Sequence, residues 1–149
     1  MSSAVMSNPL IGSRKIYIDA NVLIYLVEGS AAFQEKAERV FAYANENRIP
    51  ILSSEILVAE CLYGAHRLGR PELAEKYRWI FRESEMIHLV PIDIGIHEAA
   101  AIVGSQNRLK LIDAIHFATA IDINCDAFVT NDKGIRPTDS LRVVSLSLL

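Results

Sequence analysis

The stretch Lys15-Ile16-Tyr17-Ile18-Asp19-Ala20-Asn21 decides how the rest of the chain is read. A short apolar, β-prone run ends abruptly in Asp-x-Asn, and Val22-Leu23-Ile24-Tyr25-Leu26 then reads as the opening of a helix. In an α/β protein, a polar residue directly after a buried strand stands at the carboxyl edge of the sheet, where ligands bind. A carboxylate at that place points to a divalent cation if other acids reach the same edge. Asp19 has a second explanation as N-cap of a helix over Val22–Glu28. Asn21 can also fill that capping role, which leaves Asp19 free.

The remaining strand-like runs are Ile49–Leu52, Ile87–Val90, Ala127–Thr130 and Arg142–Leu146, after the first over Lys15–Ile18. Helical patterns lie between them. Ala32–Asn47 places Phe33, Ala37, Val40, Phe41 and Ala44 at helical spacing. Ser53 and Ser54 can cap a helix running to about Leu68, with Gly69 as its stop. Pro71 starts another, to about Met86. Asp93 precedes a helix over Ile94–Leu109, and Ile112–Ile123 is a further short one. This alternation predicts βαβ units and an α/β fold, with a small, mostly parallel sheet covered on both faces.

The 149 residues, 51% of them hydrophobic, suit a single domain with a sizeable core. Met1–Arg14 reads as a flexible lead-in, without the basic and apolar regions of a secretion signal, so the domain is expected over 15–149. No apolar run reaches the roughly 18 residues of a membrane span. Cys61 and Cys125 sit in apolar contexts and read as buried free thiols, which fits a reducing cytoplasm. A net charge of −3 does not announce a nucleic-acid binder. Between His66 and Arg82, however, Arg67, Arg70, Lys76, Arg78 and Arg82 stand against only Glu72 and Glu75. That stretch can face phosphates, although charge alone favours an ordinary solvated helix.

Four of the 18 acids stand out by context. Asp19 ends the first strand. Glu60 is the only polar residue in Ile56-Leu-Val-Ala-Glu-Cys-Leu62; Ser53, Glu60 and Arg67 are seven apart and share a face, either solvent or the floor of a cleft kept open by Gly64. Asp113 follows Leu111-Ile112, which suggests that it points into the fold, and it also suits the first turn of a helix, where a carboxylate complements the dipole. Asp132 ends Ala127-Phe-Val-Thr-Asn-Asp, but Asn-Asp-Lys-Gly is a good turn as well. His116, three residues beyond Asp113, reads as a group supporting a site from behind and not as a ligand.

Each acid has a structural explanation when taken singly. Together they form a pattern, with two acids at strand ends and two on helices able to line the same edge. Like charges gathered there raise one another's pKa. A hard cation such as Mg²⁺, held by one or two carboxylates with water and substrate phosphates, relieves that strain. It also makes a nucleophile of water for displacement at phosphorus.

In sequence order, Ile-Tyr-Ile-Asp19-Ala-Asn-Val-Leu-Ile-Tyr, Ser-Glu-Ile-Leu-Val-Ala-Glu60, Leu-Ile-Asp113-Ala-Ile-His-Phe-Ala-Thr-Ala and Phe-Val-Thr-Asn-Asp132 resemble the successive motifs of a PIN domain, most nearly the VapC-type ribonuclease toxins of toxin–antitoxin pairs. The resemblance covers Lys15 to the C-terminus. It implies a three-layer α/β/α fold and an endoribonuclease dependent on Mg²⁺ or Mn²⁺. Asp19 and Asp113 would be the principal metal ligands. Glu60 would bind the metal directly or through water and help to position the attacking water. Asp132 would complete the acidic cluster or support it from behind. Thr130 and Asn131 match the polar residues bracing that corner, and Asn21 matches a polar position beside the first acid. Arg67 has no family role and is offered as a phosphate contact.

The resemblance also implies an RNA substrate, a cognate antitoxin protein and a homodimer. Leu23, Leu26, Phe33, Leu62 and Tyr63 are available to an antitoxin docking groove, although plain core accounts for most of them. A non-catalytic RNA- or protein-binding module is the alternative. Aspartyl-phosphate chemistry is disfavoured. Haloacid-dehalogenase-like phosphatases use Asp-x-Asp where this chain has Asn21, and receiver domains need an acidic pair near the first strand.

Overall fold

Every residue of the first strand, β1 (Ile16–Ile18), is buried, as a strand covered on both faces must be. The computed structural model, which describes residues 8–149, places β1 in the middle of a five-stranded parallel sheet. The others are β2 (Ile51–Ser54), β3 (His88–Val90), β4 (Ala127–Thr130) and β5 (Arg142–Ser145), in the spatial order β3-β2-β1-β4-β5. The helices are α1 (Ala20–Glu28), α2 (Gln34–Glu46), α3 (Ile56–Arg67), α4 (Pro71–Arg82), α5 (Ile94–Asn107) and α6 (Leu111–Asp122).

Alternation along β1 sorts the helices into two layers. Ile16 and Ile18 pack with Val22 and Leu23 of α1, Val40 of α2, Leu57 of α3 and Tyr77 of α4. Tyr17 points to the opposite face and packs with Phe117 of α6 and Phe128 of β4. In the ladder Tyr17 pairs with Phe128, and their rings stack at 5.2 Å between centroids. The result is the expected α/β/α sandwich.

The topology places the site. From β1 the chain steps outward to β2 and β3, then returns through α5 and α6 to β4 on the other side of β1. The switch point therefore falls between β1 and β4, and the crevice beyond their carboxyl ends is where such sheets bind ligands. Asp19 leaves β1 there, and Asn131 and Asp132 leave β4.

Several expectations shift in detail. β2 starts and ends two residues later than the apolar run suggests, because Ser53 and Ser54 are buried strand residues. The Ser53 hydroxyl donates to the Ile18 carbonyl at 2.9 Å, and Ser54 Oγ accepts the Ile56 N–H at 3.2 Å. Ser53 therefore shares no helical face with Glu60. Gly69 does follow α3, in the left-handed region at φ +64°. The helix over 71–86 stops at Arg82, where the Ser84 hydroxyl takes the Ile80 carbonyl at 2.7 Å.

Within residues 8–14 of the supposed lead-in, Leu10 and Ser13 are buried, whereas Ile11, Gly12 and Arg14 are exposed. Leu10 lies in the core, the Arg142 guanidinium donates to Pro9 O at 2.5 Å and Ser13 Oγ at 2.9 Å, and Asp126 accepts the Lys15 N–H at 2.9 Å. The first seven residues lie outside the described part. Cys61 and Cys125 are both buried and free, as expected. Among the described residues no helix is long and apolar enough to cross a membrane.

Candidate active site

Asp19 turns β1 into α1 through an extended backbone, φ −78° and ψ 162°. Its Oδ1 accepts the Ala20 N–H at 2.8 Å, and its own N–H donates to the Val129 carbonyl of β4 at 3.0 Å. The capping expectation is corrected here: Asp19, not Asn21, is the N-cap of α1, because Asn21 already lies inside the helix. The second oxygen, Oδ2, serves the β4 corner. It accepts Thr130 Oγ1 at 2.8 Å and Asn21 Nδ2 at 3.4 Å.

Thr130 Oγ1 in turn accepts the Asp132 N–H at 3.0 Å, so one buried hydroxyl braces the first acid against the backbone of the last. Asn21 Oδ1 accepts the Asn131 N–H at 3.2 Å, and Asn131 Nδ2 donates to the Tyr25 hydroxyl at 3.0 Å. α1 is thereby stitched to the end of β4. The Asn-Asp-Lys-Gly turn also forms, and it occupies Asp132 Oδ1 with the Gly134 N–H at 2.8 Å.

Asp113 lies in the first turn of α6, where the helix dipole favours an anion. The premise that Leu111 and Ile112 draw it inward fails, since both are exposed. Its carboxyl is nevertheless half-buried and pushed up to about 6, first by that burial and then by the charges of Asp19 and Asp132. Glu60 adds to the push and His116 opposes it. Asp19 is also held above the usual carboxylate range, mainly by burial, with His116 and the Thr130 hydroxyl opposing. All four acids therefore act on one neighbourhood.

Glu60 reaches that neighbourhood from α3, with its side chain 27% exposed and Oε1 2.5 Å from His116 Nε2. His116 is fully buried, and its Nδ1 lies 2.6 Å from the Tyr17 hydroxyl. Tyr17 is the residue that sequence reasoning misses, because it reads as an ordinary core strand position. The available signal is the phenol itself, since a buried tyrosine hydroxyl requires a partner. Arg67 instead places its guanidinium 5.7 Å over the Tyr63 ring, along α3 from Glu60. On the neighbouring helix Arg78 pairs with Glu75, and Arg70 pairs with Glu72 at 2.9 Å.

Among the described residues no three His, Cys, Asp or Glu groups form a ready-made metal cage. Mg²⁺ does not require one, because it commonly keeps several waters and takes one or two carboxylates plus phosphate oxygens. The donors offered are hard carboxylate oxygens, and their mutual repulsion at Asp113 is what a cation would relieve. The residues therefore fit a hard divalent ion.

A family model described as PIN domain matches residues 16–141. No curated protein is matched by the sequence. Among solved structures, the chain is similar to VapBC2 from Rickettsia felis bound to a promoter DNA fragment, at TM-score 0.68 and 17% identity over 88% of this chain and 98% of that one. It is similar to a toxin–antitoxin complex from Klebsiella pneumoniae, at TM-score 0.63 and 22% identity over 85% and 94% of the two chains. A third similar structure is a sarcin–ricin-loop-cleaving VapC toxin from Mycobacterium tuberculosis, at TM-score 0.63 and 16% identity over 76% and 86%. At these identities the likeness is one of fold.

Proposed function

The chain belongs to the PIN domain family, and from that premise we propose that it is a metal-dependent endoribonuclease, the toxin of a type II toxin–antitoxin pair. The observation that carries this reading is the placing of Asp19 and Asp132 at the ends of β1 and β4, braced through one buried Thr130 hydroxyl at the switch point of the sheet. Asp113 stands half-buried on α6, its carboxyl raised first by that burial and then by the charges of Asp19, Asp132 and Glu60. Charged groups are kept in such a place only when something compensates them.

Asp19 and Asp113 are the principal ligands for Mg²⁺ or Mn²⁺, Glu60 ligates directly or through water, and Asp132 completes the cluster. When bound, the ion neutralises charge on the phosphodiester and lowers the pKa of the attacking water. Glu60 accepts a hydrogen bond from that water and orients it toward phosphorus. Thr130 and Asn21 hold Asp19 Oδ2 in place. Cleavage leaves a 5′-phosphate and a 3′-hydroxyl. Arg67, with Lys76 and Arg82 of α4, meets flanking phosphates, so binding weakens as salt rises.

The complexes in which similar structures were solved support an antitoxin as partner. Of the apolar residues offered for docking, Leu23 is core and Leu26, Phe33 and Leu62 pack against it, which leaves Tyr63 exposed. Exposed Ile94 and Ile102 of α5 and Leu111 of α6 are available to a second copy in a homodimer. The cytoplasm is the matching compartment for the two free thiols.

The test compares the purified protein with Asp19→Asn on RNA in Mg²⁺, in Mn²⁺ and with chelator. Cleavage that needs metal and disappears in the variant is expected. Equal, metal-independent cleavage by both defeats the nuclease reading. No cleavage with no metal bound leaves the non-catalytic binding module.

A further inference from the structure

We propose that Tyr17 and His116 are positioning residues that hold the Glu60 carboxylate through a directed hydrogen-bond chain running from the backbone of β2 to α3. Its effect on metal binding rests on the nuclease reading above; the chain itself does not.

The direction follows from proton counting. The Ser54 backbone N–H can only donate, and it donates to the Tyr17 hydroxyl at 2.9 Å. The phenol has one proton of its own, with His116 Nδ1 at 2.6 Å and the Ser53 hydroxyl also beside it. We assign that proton to the shorter contact with His116, so that Nδ1 accepts. With the ring taken as neutral, an accepting Nδ1 leaves the proton on Nε2. That proton is donated to Glu60 Oε1 at 2.5 Å. A backbone amide thus sets the tautomer of a histidine, and the histidine sets the orientation of an acid.

The chain is also dry and rigid. Tyr17, Ser54 and His116 are fully buried, and only Glu60 reaches solvent. The Tyr17 and His116 rings meet edge-on at 5.7 Å. Phe128 stacks on the other side of the phenol, so neither ring turns freely. Among the described residues no buried side-chain polar atom lacks a partner, and satisfied networks of this kind rigidify what they touch.

The consequence falls on Glu60. Its Oε1 is committed to His116, and among the described residues nothing donates to Oε2. One defined oxygen is left for a cation or its water. A metal-ligating histidine is commonly oriented by a carboxylate, a backbone carbonyl or water; here the order is reversed, with a histidine orienting the carboxylate.

The experiment has two arms. In metal-free protein, ¹⁵N correlation spectra of the histidine rings, with His116 assigned by His116→Gln, should show the Nε2–H tautomer. An Nδ1–H tautomer, or a ring protonated on both nitrogens, overturns the proposal without reference to any activity. In the second arm, Mn²⁺ titration followed by electron paramagnetic resonance should show Tyr17→Phe weakening affinity by ~10-fold, the usual effect of losing an outer partner. In a Glu60→Gln background the same substitution should change nothing further. Equal weakening in both backgrounds overturns the positioning role, because a merely structural tyrosine would act that way. Should wild-type protein bind no Mn²⁺, the nuclease reading and the role toward metal fall together, while the tautomer arm still judges the chain.

Discussion

The two edges of the sheet hold opposite kinds of space. At the amino edge, the end of α2 and the starts of β2 and β3 line a cavity of about 470 Å³ with Phe41, Ala44, Ile49, Pro50, Met86 and His88. At the carboxyl edge Asp113 is half-buried, and that burial, with the charges of Asp19, Asp132 and Glu60 behind it, pushes its carboxyl up to about 6. Volume alone would choose the first edge as the binding site. Charge chooses the second. Such a hollow, lined also by Asn45, Arg48 and Glu85, is an ordinary result of packing helices on a twisted sheet. Half-buried like charges are not, since each makes the other harder to ionise.

The hardest test of this contrast is to remove charge from one edge and bulk from the other. Asp19→Asn or Asp113→Asn should lower RNA cleavage by ~10²-fold or more, since even outer partners of a metal typically contribute that much. Met86→Ala should leave the rate unchanged in the same gel assay. Asp19→Asn should also raise the metal-free urea midpoint, because it deletes a buried charge among like charges. A fall in that midpoint would show the acids to be structural.

A pH titration sharpens the comparison. Below about 6 a proton on Asp113 competes with metal, so Mn²⁺ affinity should fall by roughly tenfold per pH unit. The metal-free fold should move the other way. Asp113 is raised above its ordinary 3.8, so its contribution to stability is full below that value and lost as pH rises through about 6. Calorimetry with and without Mn²⁺ across that window measures both trends.

Smaller effects test the support of the acidic edge. A Cβ on Gly104 of α5 would stand 2.8 Å from the Ala114 Cβ, beside Asp113. Overpacking of this sort costs about 1–3 kcal/mol, against a helix-propensity gain of ~1 kcal/mol. Gly104→Ala should therefore lower the denaturation midpoint while α6 shifts. Thr130→Val keeps the shape but removes the hydroxyl between Asp19 and Asp132. It should lower stability by about 1 kcal/mol in the same denaturation experiment.

Some of this edge was legible in the chain and some was not. Asp19 and Asp132 stand out because an apolar run breaking into polar residues is a local event. Glu60 stands out as the lone acid on an apolar helix. The partial burial of Asp113 does not come from the two residues before it. Leu111 and Ile112 face solvent, while Ala114, the residue after Asp113, seats closely against Gly104 of α5. Tyr17 gave little sign of its role because its partner His116 lies 99 residues away.

Hydrophobic period and strand-end chemistry are properties of neighbouring residues, so the alternation of strands and helices, the parallel sheet and the kinds of acid at its rim follow from the order of residues alone. Which of those acids meet is a different matter. Asp19 is braced by Thr130 because β4 inserts beside β1, across 111 residues of chain. Glu60 is held by His116 because α6 crosses to the other face and lays its histidine against Tyr17. Hydrogen bonds and Coulomb forces act over a few ångströms of space, and only the folded topology sets those distances.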